Sequence, residues 1–214
     1  WKYEKMLKQM EGQLGCVLGV NGGIYAIRRE LFPELPDDVI VEDFVIGMKV
    51  HEQGQCVVFA EDAQATEEVP ETVKTEFLRR VRIGAGDYQA LVLCHKLLLP
   101  WRGLVSWCFW SHKVLRWFVP FLMIGVLLAN VFLAYDGLYT GFLVAQGVFY
   151  LFSAIGWLFE RVGWRLRIFH LPYYFVGLNV ALLFGFFGHI FGIQEVTWKR
   201  TDHTPTRHTN GVNM

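Results

Sequence analysis

The sequence predicts an α/β soluble part followed by an all-helical membrane part, and three observations carry that expectation. The charge swings near residue 100, three long apolar segments lie beyond it, and short apolar strands alternate with helical stripes before it. Residues 1–100 hold sixteen Asp/Glu against eleven Lys/Arg, and residues 101–214 hold four against nine, so the neutral total hides a swing from minus five to plus five. At about 1.5 Å per residue, segments 118–135, 138–159 and 171–193 are each long enough to cross a hydrocarbon core of about 30 Å. All three sit at the C-terminal end with no cleavage pattern after them, which excludes a signal peptide. Cys16, Cys56, Cys94 and Cys108 are scattered without metal-ligand spacing or disulfide density, as suits a reducing compartment.

Residues 1–13 read as a helix that the chain enters at Trp1 rather than at a Met, the pattern of a fragment. Strands as short as 24–27 and 56–59 need partners from a larger sheet, so residues 1–100 read as the second half of one domain. Gly19-Val20-Asn21-Gly22-Gly23 is a turn-rich loop feeding the first of these strands. Arg28-Arg29-Glu30 begins a helical turn, and Pro33 and Pro36 bracket a loop. Phe44, Ile46, Gly47, Met48 and Val50 then mark a helix from Glu42 to Glu52, ended by Gly54. A longer helix over 71–99 carries Arg79, Arg80 and Arg82, and Gly84-Ala85-Gly86 is expected to interrupt it and let a substrate approach.

Glu42 and Asp43 at the start of a helix have two readings. Carboxylates there are favoured by unpaired amides and the helix dipole, which makes them caps. A carboxylate is also what takes a proton from an attacking hydroxyl. The arginines divide in the same way, between a face toward anionic lipid headgroups and a clamp on phosphate. One pair of readings makes the chain a non-catalytic membrane scaffold or partner-binding module; the other makes it an enzyme.

The order Gly22-Gly23-Ile24-Tyr25-Ala26-Ile27-Arg28-Arg29, then Val41-Glu42-Asp43, then Gly54, then Arg79-Arg80-Val81-Arg82-Ile83-Gly84-Ala85-Gly86 resembles the C-terminal half of a family 2 glycosyltransferase. Ser111-His112-Lys113-Val114-Leu115-Arg116-Trp117 and the helices after it resemble the membrane region of polysaccharide-synthase-like members. The resemblance implies a GT-A fold, a nucleotide-sugar donor, an inverting transfer of hexosyltransferase type and a divalent metal (Mg2+ or Mn2+). It places Asp43 as the catalytic base with Glu42 as its neighbour, and Arg82, assisted by Arg79 and Arg80, on the leaving diphosphate. Asn21, Gly22 and Ile83 fall in acceptor-site positions. Where processive members carry Gln-x-x-Arg-Trp, this chain has Arg79 for the glutamine and Ile83 for the tryptophan, which argues against making long polymers. The metal ligands and nucleotide-binding strands of the family lie upstream of Trp1, so no metal ligand is assigned here and the fragment alone is expected to be inactive. A lipid-linked or glycan acceptor is implied, and nothing in the chain points to nucleic acid.

Trp101, Trp107, Trp110 and Trp117 crowd the approach to the first span, and residues 101–117 read as an amphipathic helix lying in the membrane interface. Lys113 and Arg116 before the first span and Arg161, Arg165 and Arg167 after the second put the soluble part in the cytoplasm, at an inner membrane of bacterial type. Lys199, Arg200 and Arg207 after a third full span run against that pattern. Gly177, Gly185, Gly188 and Gly192 suggest close helix packing. Asn130, Gln146, Asn179 and His189 are polar at membrane depth, where they either bond a neighbouring helix or line a path for lipid or glycan. Residues 194–214 read as a disordered polar tail despite Asp202, His203 and His208.

Overall fold

Helices account for nearly all regular structure in the computed structural model, which describes residues 2–63, 65, 73–164 and 166–193. They are α1 (Lys2–Gln13), α2 (Glu42–Glu52), α3 (Val73–Leu93), α4 (Leu104–Cys108), α5 (Leu115–Phe132), α6 (Gly137–Val162) and α7 (Arg167–Ile190), with short 3-10 turns at Arg29–Leu31, His95–Leu98 and Pro100–Arg102. The expected α2 is met residue for residue. The proposed tail, with Asp202, His203 and His208, lies outside the described residues.

The strands do not form. Residues 24–27 and 56–59 build no ladder, and the one bridge among the described residues joins Cys16 to Val57 in parallel. The α/β, GT-A expectation is therefore not confirmed by these residues, which are mostly helical. The physical reason is pairing: an extended segment becomes a strand only when a neighbour accepts its backbone groups. Most of residues 21–30 are instead exposed.

The soluble core forms where α2 meets the run from 104 to 117. Phe44, Phe109 and Trp117 bring their ring centroids within 5.8–6.0 Å of one another, edge-on or tilted as aromatic quadrupoles prefer. Val45, Met48, Phe109 and Trp117 are essentially inaccessible to solvent. Burying them fixes α2, and so Asp43, against the entry to the membrane part.

That entry differs from the interfacial helix read over 101–117. Leu104–Cys108 runs through a π-helical turn, Phe109–Val114, into Leu115–Phe132. The result is one helical stretch, Leu104–Phe132, long and apolar enough to cross a membrane, as are Gly137–Val162 and Arg167–Ile190. The π turn shifts the helix register, so the tryptophan stripe splits. Trp107 is exposed whereas Val114 and Trp117 are buried.

α3 has three working faces, as its 3.6-residue period allows. Val81, Gly84, Ala85 and Tyr88 lie toward α7. A methyl group at Gly185 would fall 2.6 Å from the Ala85 amide nitrogen, and one at Gly84 would fall 3.3 Å from Leu182 Cα, so two glycines permit this close crossing. Phe77 meets Phe184, and Tyr88 meets Phe186, edge to face. Gly86 and Gln89 form the second face. The Gln89 carboxamide accepts from the Ile40 amide and donates to the Asp38 carbonyl, both at 2.9 Å, while Gly86 leaves room for Ile40 and Val41. Gly84-Ala85-Gly86 thus does not interrupt the helix to admit substrate; it lets α3 nest against α7 and the 38–41 loop. Arg79, Arg82, Ile83 and Asp87 occupy the third face.

Inside the apolar bundle three of the four polar residues noted in the sequence, Asn130, Gln146 and Asn179, make side-chain hydrogen bonds. Asn130 donates to the Gln146 side chain at 3.1 Å, and Gln146 donates to the Tyr150 hydroxyl and to the Met123 carbonyl. Asn179 donates back to the Phe175 carbonyl at 2.8 Å. Of the four glycines noted in α7 and just after it, Gly185 makes the crossing with α3, whereas nothing lies near a Cβ built at Gly177 or Gly192.

Candidate active site

Asp43 sits in the first turn of α2, whose N-cap, Val41, offers no side-chain acceptor. Its carboxylate does part of the cap's work: Oδ1 accepts from the Phe44 amide at 2.8 Å. Oδ2 accepts from the Gly22 amide at 3.1 Å, and the Asp43 carbonyl accepts from Val20. The glycine loop is thereby laced to the start of α2. A Cβ at position 22 would stand 2.9 Å from Oδ2, so any other residue there would push the Asp43 carboxylate aside.

Asp43 and Arg82 line both of two adjoining hollows. One, of about 370 Å³, is walled by Gly22, Tyr25, Glu42 and Ile46 as well. The other, of about 460 Å³, is charged. It is lined by Lys8, Arg79, Arg82, Lys113 and Arg116, by the acids Asp43 and Asp87, and by Asn21 and Ile83. Seven of the eight residues read as a site from sequence therefore come together. The eighth, Arg80, lines neither hollow and is bound to Glu76 at 2.6 Å. Arg79 also reaches Glu76, at 3.4 Å, and Arg82 donates to the Ile40 carbonyl.

Four charged residues of the cleft were not read as site residues from the sequence: Lys8, Asp87, Lys113 and Arg116. The signal for Asp87 was present, since Arg79, Ile83 and Asp87 recur at intervals of four on one helical stripe. Lys113 and Arg116 were read as interfacial, and the π turn that re-aims them has no sequence signature. Lys113 Nζ lies 5.4 Å from the Phe44 ring centroid, beside the residue next to Asp43. Burial pushes the Asp87 carboxyl up to about 7, against the pull of Lys113 and Arg116 and with a further rise from Asp43. Cations of this kind can bind phosphoryl oxygens, and a carboxylate can accept a proton.

Among the described residues no three His, Cys, Asp or Glu side chains converge as a metal would need. The divalent ion implied by resemblance does not fit the residues seen here, and no chemical step is derived through it.

No curated protein and no solved structure matches the chain. Asp43 and Arg82 line both hollows, and three helices of the chain are long and apolar enough to cross a membrane. Residues 1–192 match the family described as glycosyl transferase family group 2, and the chain belongs to that family.

Proposed function

We propose that the protein is a membrane-bound inverting glycosyltransferase that moves a hexose from a nucleotide-diphosphate sugar to a lipid-linked or polysaccharide acceptor, in glycan or exopolysaccharide synthesis. The observation that carries this reading is the shared wall: Asp43 and Arg82 line both hollows. In this scheme the acceptor hydroxyl gives its proton to Asp43 as its oxygen attacks the anomeric carbon. The bond from that carbon to the donor diphosphate breaks, and the diphosphate leaves toward Arg82 and Arg79. Glu42, exposed beside Asp43 in the smaller hollow, orients the acceptor or the base. Arg80 pairs with Glu76 one turn earlier in α3 and so supports that helix rather than the donor.

Ile83 lines the charged cleft where processive relatives would place an indole. Its branched aliphatic side chain offers no flat face to a sugar ring, which favours transfer of one or a few sugars. The soluble part faces the cytoplasm at an inner membrane, by the balance of Lys and Arg near the spans. A divalent metal belongs to the reading by family, with ligands outside the residues described. The scaffold reading draws on the Asp43–Phe44 hydrogen bond, which is a capping contact.

The two are separated by incubating membranes that contain the full-length protein, or its Asp43→Asn variant, with a panel of labelled nucleotide sugars. Labelled lipid or polymer from the wild type, and loss of label from the variant with insertion unchanged, is the expected result. Equal turnover by both proteins would remove Asp43 from the chemistry.

A further inference from the structure

Five cationic side chains line the charged cleft against two carboxylates, and they come from different parts of the chain. Arg79 and Arg82 belong to α3. Lys8 belongs to α1, Lys113 to the π turn and Arg116 to the first turn of α5. A donor diphosphate held by Arg82 and Arg79 leaves the second group unexplained. We propose that Lys8, Lys113 and Arg116 form a phosphoryl-binding subsite for the acceptor, a lipid-linked sugar whose lipid phosphate or diphosphate they hold while its sugar hydroxyl faces Asp43. The proposal rests on reading Asp43 as the base, since it places the acceptor's anion beside that residue.

Three observations converge on it. Lys113 and Arg116 stand on the same helical stretch, Leu104–Phe132, that is long and apolar enough to cross a membrane. A phosphate reaching them while its lipid chain lies along that stretch is at headgroup depth, where lipid-linked acceptors carry theirs. Second, the π turn brings His112 and Lys113 inward: His112 Nδ1 lies 2.6 Å from Glu11 Oε1, and Lys113 packs on the Phe44 ring. The ammonium is thus fixed near Asp43 rather than left to swing in solvent, and π turns are frequent at functional sites. Third, Asp87 lies among Lys113, Arg116 and Asp43. Its carboxyl, pushed up by burial, offsets part of the positive charge when the subsite is empty and can take up a proton when an anion arrives.

The same phosphoryl chemistry is supplied by a lipid phosphate or by the donor's diphosphate, and binding separates them without turnover. The full-length protein in phosphatidylcholine nanodiscs is titrated with farnesyl phosphate, with farnesol and with inorganic pyrophosphate, and tryptophan fluorescence is followed. Farnesyl phosphate is expected to bind more tightly than farnesol. Arg116→Gln, at an exposed position, should weaken farnesyl phosphate by about tenfold or more, the loss of one charge-assisted contact. Lys8→Gln should act in the same direction, and pyrophosphate binding should change little in either variant. Arg82→Gln should do the reverse. If Arg116→Gln weakens pyrophosphate instead, these cations belong to the donor and the proposal falls; no change with either probe also overturns it. Full sugar transfer by Asp43→Asn alongside impaired lipid-phosphate binding by Arg116→Gln would remove the base and leave the subsite.

Discussion

The Gly22 amide donates to Asp43 Oδ2 at 3.1 Å, and a methyl group added at Gly22 would lie 2.9 Å from that same oxygen. The loop glycine thus holds the carboxylate in a position that a larger residue would displace. Gly22→Ala should leave the fold in place, because the obstructed atom is a side-chain tip. It should cut kcat by about a hundredfold, the cost of displacing a reacting group by about 1 Å. Thermal melting of the purified protein beside its kcat checks both halves.

Gly185 in α7 faces backbone, not a movable side chain: its added Cβ would fall 2.6 Å from the Ala85 nitrogen and 2.7 Å from the Val81 carbonyl oxygen. Gly185→Ala should force α3 away and cost about 1–3 kcal/mol, as overpacking does. Gly177→Ala, on the same helix in open space, should cost nothing measurable. A lower melting temperature in detergent for the first variant alone is the expected outcome.

Asp87 gives a stability that depends on pH. Burial raises its carboxyl from 3.8 to about 7, so the folded protein keeps a proton that the unfolded chain has already lost in that interval. The stabilisation is complete below about pH 4 and is lost as pH rises to about 7. Lys113, Arg116 and Asp43 set the field around it. Asp87→Asn has no proton to lose. It should therefore be more stable than wild type at pH 8 and approach the wild type toward pH 4, as followed by melting across that range.

Glu11 is buried, accepts from the Leu18 amide at 3.5 Å and faces His112 Nδ1 at 2.6 Å. Removing the imidazole leaves a buried carboxylate without its strongest partner. His112→Ala should cost about 1–3 kcal/mol. Glu11→Gln, which keeps a polar group of the same shape, should cost less. Denaturant or thermal unfolding of the two variants distinguishes them.

Much of the site was legible because its residues recur at helical spacing or precede a strong apolar stripe. The 3.6-residue period put Asp43 at the head of the helix carrying Phe44–Val50 and put Arg79 and Arg82 on a second helix; the resemblance to the family, not the period, joined them in one site. The three membrane-length helices followed from apolar length, though their starts moved: the first begins at Leu104 and the third at Arg167 rather than at 118 and 171. Other features have no local code. The π turn at Phe109–Val114 coincides with the packing of Phe109 and Trp117 on Phe44, and Lys113 within it lines the cleft. Residues 24–27 have strand-like composition, yet composition cannot supply a pairing partner. Gly84-Ala85-Gly86 read as a gap for substrate because small residues permit close approach without naming what approaches; here it is α7 and the 38–41 loop.

The crossing of α3 on α7 carries one more implication. The helix that bears Arg79 and Arg82 is packed, through Gly84 and Gly185, against a segment of membrane length. In a bilayer thinner than α7 that segment would tilt, and a tilted α7 would press on α3, which Gln89 ties to the 38–41 loop leading into α2 and Asp43. Lipid chain length would thereby bear on the proposed alignment of Arg82 with Asp43. The turnover rate should fall as acyl length is shortened, while nucleotide affinity measured with the site's other contacts intact stays nearly level.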